Sequence, residues 1–593
     1  MEARAAVFTI IGFLLVAPVA AQQQTETAAD SPGQRVQLFD QVPNYAEILV
    51  HQWSSGVPGD VTSAEQSTEH YGRLLDAPPH PLSVAEAIEL ALQNNTQLKI
   101  QRLGPSAAAA QVRRAQGAFD AAVVGNVSRD RATTPAGTLS PFVTTAPVLF
   151  QQNLKFNAGL QKMLQTGGQL SLLWQNDRFL TNPSVVNELL PQYTTSLTLS
   201  LNQPLLRNFG WRYSLLFVEV AQNTEQATYQ QYEAAIATLI SQVERTYWAL
   251  VLAIEAIDVQ EQGLVLANEV LRQNQGKFKV GALPQTAVLE AQSEVARREA
   301  NLIRTRNLRD NARDNLRAVI NYPAPNGGPL LMIEPQDKPT VVPFDIDLNR
   351  SLQRALEQRP ELIAARLVVH NYGLQRKIAE NQLLPQLNFV GGIGVNGLSG
   401  NAQAPVTLPN LSPTPGAPTV IAAANPSLVG DYGRALELLP DGRYYNYTAG
   451  AVIQIPIDNS TAKADYSAAN IGFQQSRLSL QQLEESVTLE VKTAVSNLQT
   501  DLKSIDATRI ARELAEENVR NQKARYDVGL ATTKDLLDFQ DRLTQAQALE
   551  VEALTRYNAD LAEMHRVDGT LLAARNVVVE RAPASGVPWW EKF

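Results

Sequence analysis

Residues 213–278 carry an unbroken helical pattern 66 residues long. At 1.5 Å per residue this is a rod of about 100 Å. Leu250, Ile257, Leu264, Leu271 and Phe278 recur every seven residues along it, the spacing of a coiled-coil seam. A second rod runs from about Ala462 to Tyr526, with Val491, Leu498, Ile505 and Val519 in heptad register. Rods of this length cannot form a compact globule; they bury their seams by packing side by side.

Each rod ends in a related turn. Lys277-Phe278-Lys279-Val280-Gly281-Ala282-Leu283-Pro284 follows the first, and Arg525-Tyr526-Asp527-Val528-Gly529-Leu530-Ala531-Thr532 the second. Both read basic–aromatic–x-Val-Gly. Glycine fits the left-handed position past a helix end. Pro284 suits a first helical position and Thr532 an N-cap. Beyond the first turn, a helix over 285–320 carries Val288, Val295, Leu302 and Leu316 in seven-residue steps, with Arg309 in the remaining slot. Beyond the second, a final helix reaches about Leu572.

The chain before each rod is also duplicated. Ser83 and Glu86 form a capping-box signature that opens a helix to about Gln116, and Gly104-Pro105 should kink it. The helices over 82–116 and 285–320 are each about 53 Å long, so two end to end match one rod. Residues 119–204 then switch to period two. Leu154, Phe156, Ala158 and Leu160 alternate with polar neighbours, as do Leu170, Leu172 and Trp174, and Leu197, Leu199 and Leu201. These are strands with one apolar and one polar face. Thr166-Gly167-Gly168 is a tight turn between two of them, and Pro204 ends the set. The plan restarts where Ala355-Leu356-Glu357-Gln358-Arg359-Pro360-Glu361-Leu362 echoes Ala91–Leu98 at an offset of 264 residues. Strands at 386–396 and 444–457 flank a Pro/Gly/Ala-rich insertion, 397–443, and the second Val-Gly turn follows the first at an offset of 248. With Phe119–Arg129, which alternates less cleanly, six strands are thus counted in all, and the hairpin around Gly167-Gly168 either joins the barrel or lies outside it.

The remaining segments give the chain an address. Arg4, the apolar run Val7–Val16 and the small residues Val19-Ala20-Ala21 read as a secretory signal peptide over 1–21. The expected division is an N-terminal extended arm over 22–81, a first repeat over 82–320, a connector over 321–345, a second repeat over 346–572 and a C-terminal tail over 573–593 containing Trp589-Trp590. A net charge of −9 argues against nucleic acid as a partner. The absence of cysteine excludes disulfides and thiolate chemistry. His51, His70, His80, His370 and His565 have no metal-ligand spacing, and no nucleophile motif is present, so neither enzyme activity, metal nor cofactor is expected. Gly392-x-Gly394-x-x-Gly397 fits a dinucleotide fingerprint in letters only, because a loop and not a helix follows it.

No internal apolar run is long enough for a transmembrane helix. Half-polar strands in a secreted chain therefore point to an outer-membrane β-barrel, which must close because lipid cannot satisfy a sheet edge. Six strands are few for an open pore, so closure needs several chains.

Three features taken together carry a family resemblance: the opening Leu82-Ser83-Val84-Ala85-Glu86-Ala87-Ile88-Glu89-Leu90-Ala91-Leu92, the duplicated helix–Val-Gly–helix turns, and the strand exits Gln203-Pro204-Leu205-Leu206 and Ile455-Pro456-Ile457. Over about residues 82–572 the chain resembles the TolC-like outer-membrane efflux proteins. The resemblance implies a mainly α protein with a membrane β-barrel portion. It implies a homotrimer whose outer-membrane barrel continues as a periplasmic α-helical tunnel, closed at its lower end at rest. It further implies work with a periplasmic adaptor protein and an inner-membrane pump or secretion transporter, in efflux or type I secretion. The runner-up reading is a non-channel periplasmic coiled-coil structural or adaptor protein; it accounts for the heptads but not for the strands.

Site residues in such a channel are gates and docking surfaces. By the resemblance, Asp535 and Asp538 fall where acidic residues ring the periplasmic constriction, and Tyr526 matches a latch tyrosine. Thr532-x-x-Asp535 is also a capping box, which gives Asp535 a structural role as well. Glu290 is the first-turn counterpart of Asp538. Ala531 and Ala287 occupy the places of a latch arginine and its acidic partner, so no salt bridge can form there. Val280, Gly281, Pro284, Val528, Gly529 and Leu530 are the implied adaptor-docking turns.

Overall fold

The computed structural model describes residues 79–135, 148–182, 188–321, 332–342, 344, 346–403, 407–408, 419–420 and 424–579. The signal sequence, all but the end of the arm, and Trp589-Trp590 lie outside them. The chain begins with β1 (Pro79–Leu82), α1 (Val84–Asn94) and α2 (Thr96–Gln116). Four strands follow: β2 (Ala121–Pro135), β3 (Val148–Met163), β4 (Gln169–Thr181) and β5 (Leu189–Pro204). A short α3 (Trp211–Ser214) leads into α4 (Leu216–Lys279) and α5 (Gln285–Ile320). The second half runs β6 (Met332–Pro335), α6 (Leu348–Gln358), α7 (Pro360–Asn381), β7 (Gln386–Ala402), β8 (Thr407–Leu408), β9 (Thr419–Val420), α8 (Tyr432–Glu437), β10 (Tyr445–Gln454), α9 (Ser460–Asp527), α10 (Thr533–Val567) and α11 (Leu571–Ala574).

The first short helix does not break at Pro105, which sits inside α2. It breaks at Asn95. The Asn95 side chain accepts from the Leu98 N–H (2.9 Å) and donates to the Val319 carbonyl (2.9 Å). A helix can be interrupted where side chains satisfy the freed backbone groups, and Asn95 does this while tying α2 to the end of α5. Asn321, left-handed at the α5 C-cap, completes the joint by donating to the Asn94 carbonyl and to Thr96 Oγ1. In the second half α6 gives way to α7 at Arg359-Pro360, at the same 264-residue offset from the first break. There Arg359 bonds Glu490 at 2.7 Å, and Arg354 reaches Asp568 just past α10 at 3.2 Å. Each pair of short helices is thus clamped end to end beside a rod.

Laterally, α4 packs against α2 and α5 on one side and against α7 and α10 on the other. The rod α9 packs on α7 and α10. This leaves α9 at one edge and the α2–α5 stack at the other. Both edges expose apolar side chains: Ile471, Leu478, Ile510 and Leu514 on α9; Ile100 and Leu103 on α2; Leu289, Ile303 and Leu308 on α5. The main core lies around the middle of the rods, where Ile240, Val243, Tyr247 and Leu250 of α4 meet Ala87 and Ala91 of α1 and Leu316 and Ile320 of α5. A parallel ribbon of β1 with β6 closes this belt, so the end of the arm pairs with the connector.

All six long strands join one antiparallel sheet in the order β10-β7-β5-β4-β3-β2. The hairpin around Gly167 is therefore an integral part of it. Gly167 has φ +85°, and a Cβ there would come within 3.1 Å of Ser214 Oγ, so the turn admits only glycine comfortably. The register lines up apolar residues across every strand: Val123, Leu160, Leu172, Leu199, Ile393 and Tyr447 form one row, and Ala158, Trp174, Leu197, Val395 and Tyr445 lie in the next on the same face. The opposite face presents Asn126, Asn157, Gln175, Ser196 and Asn396. On β2 the apolar positions Val123 and Val127 are exposed, whereas Val124 and Ser128 of the other face are half-buried. The crowded side of a curved sheet is the concave one, so the polar face lines the inside and the apolar face the outside. Gly392 and Gly394 belong to this strand packing: a Cβ on Gly394 would meet Asn446 Oδ1 at 2.7 Å and Thr198 Oγ1 at 2.9 Å.

Within the insertion, α8 lies on the outer face, where a Cβ on Gly397 would overlap the Ala435 carbonyl. Tyr432 covers the outward polar residues of this patch. Its hydroxyl donates to Asn176 Oδ1 (2.5 Å), which also accepts from Thr195 (2.7 Å), and Thr195 accepts from Trp174 Nε1 (3.1 Å). Every polar group in that chain has a partner, as an apolar surrounding requires.

Candidate functional site

The two Val-Gly turns close the helix hairpins α4–α5 and α9–α10 at the ends farthest from the sheet. Each is a Schellman turn. Gly281 N–H donates to Phe278 O and Ala282 N–H to Lys277 O; Gly529 and Leu530 repeat this onto Tyr526 O and Arg525 O. Gly281 and Gly529 have φ of +70° and +77°, which explains the glycines. Pro284 stands at the N-cap of α5, one residue ahead of the first helical position, because its ψ of 157° is extended. Val280, Val528 and Leu530 are each at least 70% exposed, so both tips present bare aliphatic side chains next to open backbone.

Behind the tips lies a buried polar cluster. The Tyr526 hydroxyl donates to Asn274 Oδ1. Asn274, fully buried on α4, donates in turn to the Ala287 carbonyl and to Thr533 Oγ1, both at 3.0 Å. Lys277 stacks its ammonium 4.1 Å from the centre of the Tyr526 ring. One asparagine thus joins the ends of all four helices. It bonds the backbone of Ala287, a position whose side chain can carry no acid. Val270, Ala291, Leu536 and Leu537 seal the cluster from water.

The acidic residues separate by role. Asp535 completes the capping box of α10: its carboxylate accepts from Thr532 N–H (3.0 Å) and Oγ1 (2.7 Å), and its own N–H donates to Thr532 Oγ1. Those side-chain and backbone hydrogen bonds hold its pKa below the ordinary 3.8, so it stays ionised. Asp538 and Glu290 are exposed and make no side-chain hydrogen bond or ion pair with the described residues. Asn274, Thr533 and Lys277 were not singled out by sequence. An asparagine inside a heptad rod reads as a solvated position, and only its burial shows otherwise.

Higher up, Arg298 of α5 is buried against Glu294 (2.7 Å) and Thr544 (3.2 Å), over Gly263 of α4. It pins α5 to α4 and α10. Among the described residues no cluster of three metal-ligating side chains occurs, and no helix is long and apolar enough to cross a membrane.

Three comparisons bear on what this arrangement is. The family described as outer membrane efflux protein matches residues 182–322 and 351–570, which spans parts of both repeats. The outer membrane protein TolC of Salmonella enteritidis is 26% identical over 379 residues, covering 64% of this chain and 69% of that protein. The CmeC outer membrane channel of Campylobacter jejuni superposes with a TM-score of 0.56 at 17% identity, covering 82% of this chain and 86% of that one. The outer membrane protein VceC of Vibrio cholerae gives a TM-score of 0.56 at 16% identity, over 82% of this chain and 96% of that one. These relatives are outer-membrane channel proteins and not enzymes. The sheet is accordingly the outer-membrane part of this protein, and the helices are its periplasmic part. With more than half of its length matched, the chain belongs to the outer membrane efflux protein family.

Proposed function

We propose that this protein is the outer-membrane exit channel of a tripartite export system. It passively conducts small molecules or secreted proteins delivered by an inner-membrane pump or secretion transporter through a periplasmic adaptor. The observation that carries this reading is the pair of open lateral edges. The sheet ends in unpaired β10 and β2, and the helical layer ends in α9 and the α2–α5 stack. Each rod edge continues from the matching strand edge, since α2 precedes β2 and α9 follows β10. An even number of alternating strands lets β10 of one copy pair antiparallel with β2 of the next. Three copies then close an eighteen-stranded barrel, wide enough for an aqueous channel.

The gate lies at the tips. The Tyr526–Asn274–Thr533 cluster holds the helix ends together in the closed state. Around the axis, Asp538, Glu290 and the capped but ionised Asp535 form acidic rings that favour cations. Val280, Gly281, Pro284, Val528, Gly529 and Leu530 form the adaptor-docking surface, because they are the exposed aliphatic and backbone groups that a second helical hairpin can meet.

Reversal potentials across planar bilayers in a salt gradient test the gate assignment. Wild type should prefer cations, and Asp535→Asn with Asp538→Asn should shift the reversal potential toward zero. An unchanged potential refutes the acidic rings. A detergent-solubilised particle with the mass of one chain refutes the channel.

A further inference from the structure

The outer face of the sheet is apolar across its middle but carries three arginines at one edge. Arg129 and Arg131 lie on β2 in phase with Val123 and Val127, and Arg178 lies on β4 in phase with Leu172 and Trp174. All three therefore belong to the outward face. Counted from the periplasmic end of their own strands, Arg129 and Arg131 are the ninth and eleventh residues of β2, and Arg178 is the tenth of β4. At about 3.4 Å per residue and a barrel tilt of about 40°, these positions stand roughly 21–26 Å above the first residue of the strand. The apolar band of such barrels is about 25 Å tall. The three arginine positions thus fall at the outer margin of this band, where long side chains can carry their charged ends past it. Lys162, the other outward cation of this hairpin region, sits next to the periplasmic end of β3.

Arg129 and Arg178 flank Leu154 in one row, which puts their Cα atoms two strand spacings apart, about 10 Å. Their charge is not neutralised by the sheet. Among the described strand residues no carboxylate faces outward; Asp130 and Asp177 point to the inside. None of the three arginines has an ion-pair partner among the described residues. Arg131 rests 5.0 Å from the centre of the Phe150 ring, and Gln152, with its amide oriented to suit, accepts from Arg129 at 3.0 and 3.1 Å. These contacts orient the side chains and leave the positive charge free.

From this geometry we propose that Arg129, Arg131 and Arg178 bind the phosphate groups of a lipid in the outer leaflet, whose acyl chains lie on the apolar rows below. Arginine pairs with phosphate through two parallel hydrogen bonds. The site lies where headgroup phosphates sit, and beneath it the exposed Val127, Val123 and Leu160 on the β2–β3 side supply apolar surface for the chains, while Tyr432 covers the outward Asn176 and Thr195 farther along the sheet. A contact to a neighbouring copy along the β2 edge does not account for Arg178, which lies two strands inward. The inference rests on placing the sheet in the outer membrane and not on the gate or on any export partner.

The test uses the full-length protein in detergent, with bisphosphorylated lipid A, the same lipid with both phosphates removed, and inorganic pyrophosphate as probes. Binding is read by native mass spectrometry. Wild type should bind the phosphorylated lipid on the order of 100-fold more tightly than the dephosphorylated one, taking about 1 kcal/mol for each arginine. Arg129→Gln with Arg131→Gln and Arg178→Gln should lose the same factor, and Lys162→Gln should lose none of it. Equal wild-type affinity for the two lipids overturns the proposal, whatever the variant does to folding. Displacement of the lipid by pyrophosphate at equal concentration also overturns it, because the site then takes free anions. So does a triple variant that keeps its lipid but loses oligomer stability, which assigns the arginines to contacts between copies. Conductance in planar bilayers, recorded in parallel, reports the membrane placement on its own.

Discussion

Asn274 holds its neighbours because it offers both a donor and an acceptor inside an apolar shell. Removing it leaves the Tyr526 hydroxyl, Thr533 Oγ1 and the Ala287 carbonyl without these bonds behind the apolar side chains that surround them. Each buried group so stranded costs about 1–3 kcal/mol. Asn274→Ala should therefore loosen the tips while leaving the rods folded. Backbone hydrogen exchange should rise at residues 270–295 and 520–540 and stay unchanged near Tyr247 in the central core. Faster exchange throughout would mean that Asn274 serves the fold and not the tips. At this scale the sequence was readable where chemistry and position coincide. Thr532 and the two glycines could be named because caps and left-handed turns demand those residues, and Tyr526 because the family resemblance implies a latch tyrosine there. Asn274 and Arg298 could not, since polar side chains in a heptad rod read as solvent-facing until the neighbouring helices are in place.

Among the helices, the carboxyl of Asp560 on α10 faces Asp501 on α9, with Arg556 on α10 and Arg245 on α4 nearby. Burial, then hydrogen bonding and repulsion from Asp501, push the Asp560 carboxyl up to about 7. The folded state therefore binds a proton that the unfolded chain has released above its ordinary pKa of 3.8. Stability from this group is fully present below that ordinary value and falls as pH rises toward 7. Asp560→Asn should remove the loss: the variant should melt higher than wild type at pH 8, by about 1 kcal/mol after allowing for solvent screening, and equally at pH 4. Thermal unfolding at the two pH values checks this, and a variant less stable at pH 8 contradicts it. The helix breaks show how far pattern reading carries at this scale. The duplicated segment was visible in the sequence, and both interruptions fall within it, at Asn95 and Arg359. Pro105 drew attention because its ring removes a hydrogen bond. The interruption falls at Asn95, where the Val319 carbonyl of α5 and the Asn321 side chain at its C-cap supply the partners.

For the assembly as a whole, rod length, strand alternation and the two-fold repeat were enough to read a barrel joined to a helical layer. Alternation does not say which strands pair, so only the register placed the Gly167 hairpin inside the sheet and not beside it. The seat of α8 on the outer face was likewise hidden, because Gly397 reads as a loop glycine until Ala435 lies against it. We propose a water-filled exit channel closed at its helix tips. Single-channel recording on the purified full-length protein in planar bilayers tests it most directly. Discrete current steps from a trimer are expected, small in wild type and larger when Tyr526→Phe and Asn274→Ala release the tips. Trimers that insert into the bilayer yet pass no stepwise current in either form would contradict it.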